Sequence, residues 1–327
     1  MRVGWLVSVT GIFGAVRECV EISNTLVRLG YDVTIFSEDG APITWLHYIG
    51  KVGTFAQAAT AQLDVLILLC DWHRRYLDAF KVCSPKLRCV TVMGFDPSPE
   101  LAQGLRADGA MVHDPAVMRE AITMPGALVL ADSSWQSAWL TANVGVTCGP
   151  AIGGVNLKQF YPVQGRRALE PYRILATGDP RARKGSDVVA AAVKILQAKK
   201  LPVEFVTYWN TRLPQDQMAK WYSHGDVFLD AEKRAGWCNP VAEAMACGQA
   251  CVTTDIGAVH DFAIDQETAL LVPVDDPEAM ARAVIVLLSH PERRAAMAKA
   301  GAEKMRQFSY EIVGKRLADA LEERLNA

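Results

Sequence analysis

Residues 2–37 read RVGWLVSVTGIFGAVRECVEISNTLVRLGYDVTIFS. The run 2–9 is apolar nearly throughout, the pattern of a strand covered on both faces. Gly11 and Gly14 interrupt it, and Val16, Cys19, Val20, Leu26 and Val27 then recur at helical spacing. Gly30 stands where a helix should stop, and Tyr31 and Asp32 lead into a second apolar run that ends at Ser37. Strand, helix and strand in this order form a βαβ unit, whose two strands are parallel.

The same pattern continues outward. Runs at 64–69, 89–93 and 126–131 extend the first set, and runs at 172–177, 203–207, 227–229, 250–253 and 269–272 form a second. A helix is predicted over 186–198, with Val188, Val189, Ala192, Val193 and Leu196 inward. A Gly/Pro-rich passage at 148–156 and a polar stretch at 164–170 separate the sets. A length of 327 residues fits two domains at roughly 150 residues each. The expected division is 1–155 and 156–327, with a last helix at 310–325 able to pack on either domain. The fold class is α/β, two Rossmann-like doubly wound parallel sheets facing each other across a cleft, where a nucleotide-like ligand is expected.

Composition narrows the functions. With 34 Lys+Arg against 36 Asp+Glu the formal charge is −2, so no global cationic field exists to hold a nucleic-acid backbone, and no nucleic-acid partner is expected. No window approaches the roughly 18 uninterrupted apolar residues of a bilayer span, and the first residues lack a cleavage-site pattern. The expectation is a cytoplasmic protein with peripheral membrane association at most. Eight cysteines without a C-x-x-C pair read as reduced, buried thiols, and the histidines show no metal-ligand spacing.

The densest chemical signal is AGWCNPVAEAMACG at 235–248. A loop leads through Asn239 and Pro240 into a helix whose amides near Val241 and Ala242 would face an anion such as a diphosphate. Pro240 suits the first helical position, and Glu243 then falls in the first turn, where a carboxylate can accept hydroxyl hydrogen bonds from a ribose. Read by itself, Glu243 is equally a favourable first-turn acid.

This segment, preceded by Gly236 and Trp237, resembles the signature of the retaining GT-B glycosyltransferases of family 4, the glycosyl transferases group 1. Other matches fall in the family's order: Gly11 to Ala15 after the first strand, 152–156 with 160–162 in the linker, Lys184-Gly185, and Leu213 with Trp221, Tyr222, Asp226 and Val227. The resemblance implies a transferase that moves a sugar, with retention, from a nucleotide-diphosphate-sugar donor of UDP or GDP type to a hydroxyl of a saccharide, lipid-linked or small-molecule acceptor. It implies donor contacts from Gly11, Gly14, Gly178, Trp237, Asn239, Pro240, Val241, Ala242 and Glu243. The catalytic set it implies is Lys184 with Arg181 or Arg183 on the diphosphate, and His73 standing in for an absent family histidine. No D-x-D triplet occurs, which agrees with metal independence and no cofactor.

Three positions depart from the family. Ala235 replaces the first glutamate of an E-x7-E pattern, Asp179 replaces an arginine, and Met93-Gly94 stands where a His-Gly is common. Glu232, beside Lys233 and Arg234, is expected as a solvated surface acid or, in a differently shaped loop, as a substitute for the missing glutamate. These departures leave a second reading, a catalytically impaired subunit that binds a nucleotide sugar or glycan. Trp72, Trp135 and Trp139 read as core residues or stacking faces for sugar or lipid.

Overall fold

The computed structural model describes residues 1–69, 72–93, 114–163, 170–211 and 213–327. Of the positions discussed above, Gly94 and residues 164–169 of the polar stretch lie outside these. The chain divides into two compact units, Met1–Gly153 with Tyr310–Ala327, and Gly154–Ser309.

The first unit holds β1 (Arg2–Leu6), α1 (Gly14–Arg28), β2 (Asp32–Ser37), β3 (Lys51–Thr54), α2 (Phe55–Thr60) and β4 (Val65–Leu68). After these come α3 (Arg74–Val82), β5 (Leu87–Val92), α4 (Pro115–Ile122), β6 (Leu128–Ala131) and α5 (Ser134–Val144). Its six strands are parallel in the order β3-β2-β1-β4-β5-β6. Strand alternation explains the two cores: Val3 and Trp5 join one face, Leu6, Leu66 and Val90 the other. The edge strand β3 was not legible in the sequence, because KVGT is short, half exposed and contains a glycine.

The second unit holds β7 (Tyr172–Ala176), α6 (Ser186–Ala198), β8 (Val203–Thr207), α7 (Met218–Ser223), β9 (Val227–Asp230) and α8 (Asn239–Ala246). It continues through β10 (Ala250–Thr254), β11 (Leu270–Val272), α9 (Pro277–Ser289) and α10 (Pro291–Met305). Its parallel order is β11-β10-β9-β7-β8. The side chain of Asp276 caps α9 by accepting the Ala279 amide at 2.7 Å, and Pro277 fits the helix start because its missing N–H would have had no intrahelical partner.

The last helix, α11 (Tyr310–Asn326), belongs to the first unit and packs on α1. Val313, Leu317 and Leu321 are fully buried at four-residue steps, and a Cβ on Gly314 would lie 2.7 Å from Thr25 Cγ2, so the two helices approach too closely for any larger residue there. Truncating a buried leucine of this seam to alanine typically costs about 2–5 kcal/mol.

Topology places the loops that matter. In each sheet the strand order reverses once, between β1 and β4 in the first and between β7 and β9 in the second. At such a point the adjacent crossovers leave on opposite faces, opening a crevice at the carboxyl ends of the strands. The glycine loop follows β1 and His73 follows β4; the 177–185 loop follows β7 and the 230–243 segment follows β9.

Candidate functional site

The second unit carries the charged cluster. After β7 the chain turns through Thr177 and Gly178 into a single 3-10 turn, Ala182–Lys184, and enters α6 after Gly185. Gly185 has φ +60°, and a Cβ there would lie 2.1 Å from the Ala231 carbonyl oxygen. This close approach of two loops is the physical reason for glycine after Lys184. The Lys233 amide donates to the Arg183 carbonyl at 2.7 Å, which ties the same loops together.

Asp179, where the family has arginine, is buried and accepts from the Arg181 backbone amide at 3.0 Å and from its guanidinium. Burial pushes the Asp179 carboxyl up, but the Arg181 hydrogen bonds outweigh it and hold the group below its ordinary value. Arg181 also lies 5.7 Å from the ring centre of Trp209.

Glu232 overturns its expectation. Its side chain is 0% exposed, and its two oxygens accept from Arg183 and from Lys184, the latter at 2.5 Å. It is neither a surface acid nor free to contact a sugar in place of the glutamate missing at Ala235. Asp230 lies beside it and accepts the Glu232 amide at 3.1 Å. Burial, and then the Glu232 charge, raise the Asp230 carboxyl to about 6 against the pull of Lys184. Among the described residues, Asp230, Glu232 and Cys238 bring ligand-type atoms within 4.8 Å of one another. Lys184 and Arg183 supply the cationic charge there.

Helix α8 corrects several expectations. It begins at Asn239, so Pro240 is its second residue and Glu243 its fifth, beyond the first turn. The Ala242 amide donates to the Cys238 carbonyl at 3.1 Å and the Val241 amide to the Cys238 thiol, so neither faces an anion. Trp237 is buried against Phe262 and Phe308 with ring centres 4.6 and 5.4 Å away, a core residue with no face left for a donor. Asn239 and Pro240 are half-buried at the helix start.

Glu243 is 6% exposed, and its Oε2 accepts the Tyr222 hydroxyl at 2.9 Å. Burial and then the Glu243 charge push the Tyr222 phenol well above its ordinary value, so it stays a donor. Sequence reading placed Tyr222 in the family pattern without this role; a tyrosine next to last in a six-residue helix gave no signal of its partner. A cavity of about 360 Å³ in this unit is lined by Leu175, Val206, Leu213, Lys220 and Trp221, next to Tyr222 in sequence but without the charged cluster.

In the first unit Gly11 and Gly14 are exposed, and a Cβ on Gly11 would meet only the Phe13 ring at 3.6 Å. His73 is exposed and forms the N-cap position of α3 without a side-chain capping bond. Its ring lies edge-on to Tyr76 at 6.1 Å. Trp72 is fully buried and Met93 is buried. Seven described cysteines are free, and all but the half-buried Cys148 are buried. Among the described residues no helix is long and apolar enough to cross a membrane.

Residues 167–290, within the second unit, match the family model described as glycosyl transferases group 1. Phosphatidyl-myo-inositol mannosyltransferase of Mycolicibacterium smegmatis is 27% identical over 221 residues, 58% of this chain and 55% of that one. D-inositol 3-phosphate glycosyltransferase of Segniliparus rotundus is 28% identical over 145 residues, 44% of this chain and 31% of its own. The chain thus spans about half or less of the length of these curated relatives. Among solved structures, sucrose-phosphate synthase of Thermosynechococcus elongatus superposes with a TM-score of 0.79 at 19% identity, over 98% of each chain. Anabaena HepE in complex with UDP-glucose gives 0.69 at 14% identity over 99% of this chain and 100% of that one. The paired parallel sheets are therefore a GT-B fold, and the second of them is similar over residues 167–290 to the glycosyl transferases group 1 model.

Proposed function

We propose that the protein is a metal-independent, retaining glycosyltransferase that moves a sugar from a UDP- or GDP-type donor to a hydroxyl of a saccharide, lipid-linked or small-molecule acceptor. The observation that carries this reading is the arrangement at the β7/β9 reversal of the second unit. A half-buried cation pair, Arg183 and Lys184, lies in the loop after β7, and a tyrosine-held carboxylate, Glu243, lies in the helix after β9, the strand paired with β7. Glu243 accepts the ribose hydroxyls. Lys184 has three donors and so keeps N–H groups for the diphosphate while bound to Glu232, and Arg183 adds its positive charge beside it.

When the bond between the anomeric carbon and the diphosphate oxygen breaks, negative charge grows on the departing oxygen. Donors already held in place stabilise that charge without reorganising at the moment of reaction. Gly11 and Gly14 admit the donor to the backbone at the start of α1. His73, at the β4 end, supplies the contact that the family takes from a histidine after its equivalent of β5. The UDP-glucose bound to the structurally similar Anabaena protein supports a nucleotide-sugar ligand.

The test is a thermal-shift series with UDP, GDP, ADP, dTDP and CMP. A ligand at 100 times its dissociation constant adds about 2.7 kcal/mol of stability. One diphosphate should stabilise the wild type and fail to stabilise Glu243→Ala; equal binding by that variant would remove the assignment. Donor hydrolysis should survive EDTA, and the sugar should keep its anomeric configuration by NMR. Loss of activity in EDTA with recovery on adding a divalent ion would overturn metal independence, and nucleotide binding with no turnover would overturn the transferase reading.

A further inference from the structure

We propose that Glu232 is a positioning residue that sets Arg183 and Lys184 for the diphosphate; this rests on the donor-binding reading above. The geometry is specific. Glu232 lies two residues beyond β9, yet both of its oxygens are spent on side chains 48 and 49 residues away in the loop after β7. Its own frame is held on three sides. Its amide donates to Asp230 at the end of β9, its carbonyl accepts the Thr254 hydroxyl at the end of β10, and its neighbour Ala231 lies against Gly185.

A carboxylate with no solvent exposure, braced in this way, gives two long and otherwise mobile side chains one shared geometry. Both cations keep a little exposure, 21% of the Arg183 side chain and 12% of Lys184. The contact therefore holds both cations without enclosing them. The family's first glutamate is absent at Ala235, and this nearby acid serves the cations instead of the sugar.

The sign of one substitution separates positioning from simple charge. Glu232→Gln removes a negative charge, so if Glu232 only weakens the positive field, diphosphate binding tightens. If it positions the pair, binding weakens although the net charge has become more favourable. Wild type, E232Q and E232D are titrated with UDP, GDP, uridine and guanosine, and the quantity read is the nucleoside dissociation constant divided by that of the matching diphosphate.

The expected result is a ratio lower by about tenfold or more in E232Q, in line with loss of an oriented charged donor, with the nucleoside constant unchanged. E232D keeps the charge but is one methylene too short to reach both cations, so it falls between. An unchanged or larger ratio in E232Q overturns the proposal, as does equal weakening of nucleoside and diphosphate, which marks a merely structural role. If E232Q fails to fold, E232D is judged by the same ratio. A wild-type ratio near one sinks the donor reading and this inference together; a large wild-type ratio indifferent to Glu232 sinks the inference alone.

Discussion

The loop after β1 and the loop after β7 occupy the same place in their sheets, each at the strand beside an order reversal, yet they are built oppositely. Between Val7 and Gly14 there is no charged residue; Ile12 is 71% exposed, Phe13 52%, and Phe13 offers α1 no side-chain cap. The loop from Thr177 to Gly185 holds Asp179, Arg181, Arg183 and Lys184, with Arg181 on Asp179 and the other two cations on Glu232. Topology decides where a ligand meets a parallel sheet, and loop chemistry decides what it meets. The first loop offers backbone and apolar surface; the second offers charge whose geometry is set before any ligand arrives.

The comparison breaks hardest at Lys184. Lys184→Met should lower donor cleavage by about 100-fold to 1000-fold, the usual cost of a lost charge-stabilising donor, measured as initial rates of donor hydrolysis. A matching charge deletion is impossible in the first loop, which has nothing to delete.

Glycine substitution sharpens it next. Gly185→Ala combines a left-handed backbone with a collision against the Ala231 carbonyl, and should destabilise by about 1–3 kcal/mol or more in urea unfolding. Gly11→Ala meets only the flexible Phe13 ring and should leave the unfolding midpoint in place while altering donor affinity. Equal midpoints for the two variants would show that the second loop is not braced as described.

Tyr222→Phe removes the hydroxyl that donates to Glu243 at 2.9 Å. Hydrogen bonds to charged groups contribute about 1.5–3 kcal/mol, so the diphosphate should bind roughly tenfold or more weakly by calorimetry. Asp230 gives a pH signature. Its folded carboxyl, at about 6, lies above the unfolded value of about 3.9, so the folded state favours the protonated form. That stability is full at acid pH and is lost as pH rises through 6. Asp230→Asn should therefore gain in melting temperature over the wild type between about pH 4 and 6, then hold a constant lead. The smallest effect belongs to His73→Ala. An exposed residue without a capping bond should change stability by no more than about 0.5 kcal/mol, so any fall in rate would report a role on the ligand.

Much of the framework of both units was readable in advance. The helix over 186–198 is found at its expected bounds, and β2 and β8 also match residue for residue. Their signals are long apolar runs or strong periodicity bounded by glycine or polar residues. The site was less readable. Trp237 looked like a ligand contact because it lies in the signature, but a large ring next to Phe262 gains more from burial than from a wet surface. The amides of Val241 and Ala242 looked free because helix starts leave amides unpaired, and no periodic pattern shows that Cys238 takes both.

By itself the sequence determined that there would be two parallel sheets, because strands apolar on both faces must be covered on both faces, and it determined which loops carry cations and acids. Tertiary structure alone decided the pairing. Glu232 and Lys184 are 48 residues apart, and only the adjacency of β7 and β9 brings them together; the close packing of those loops also excludes water, which turns an ordinary surface-looking glutamate into a buried counter-charge.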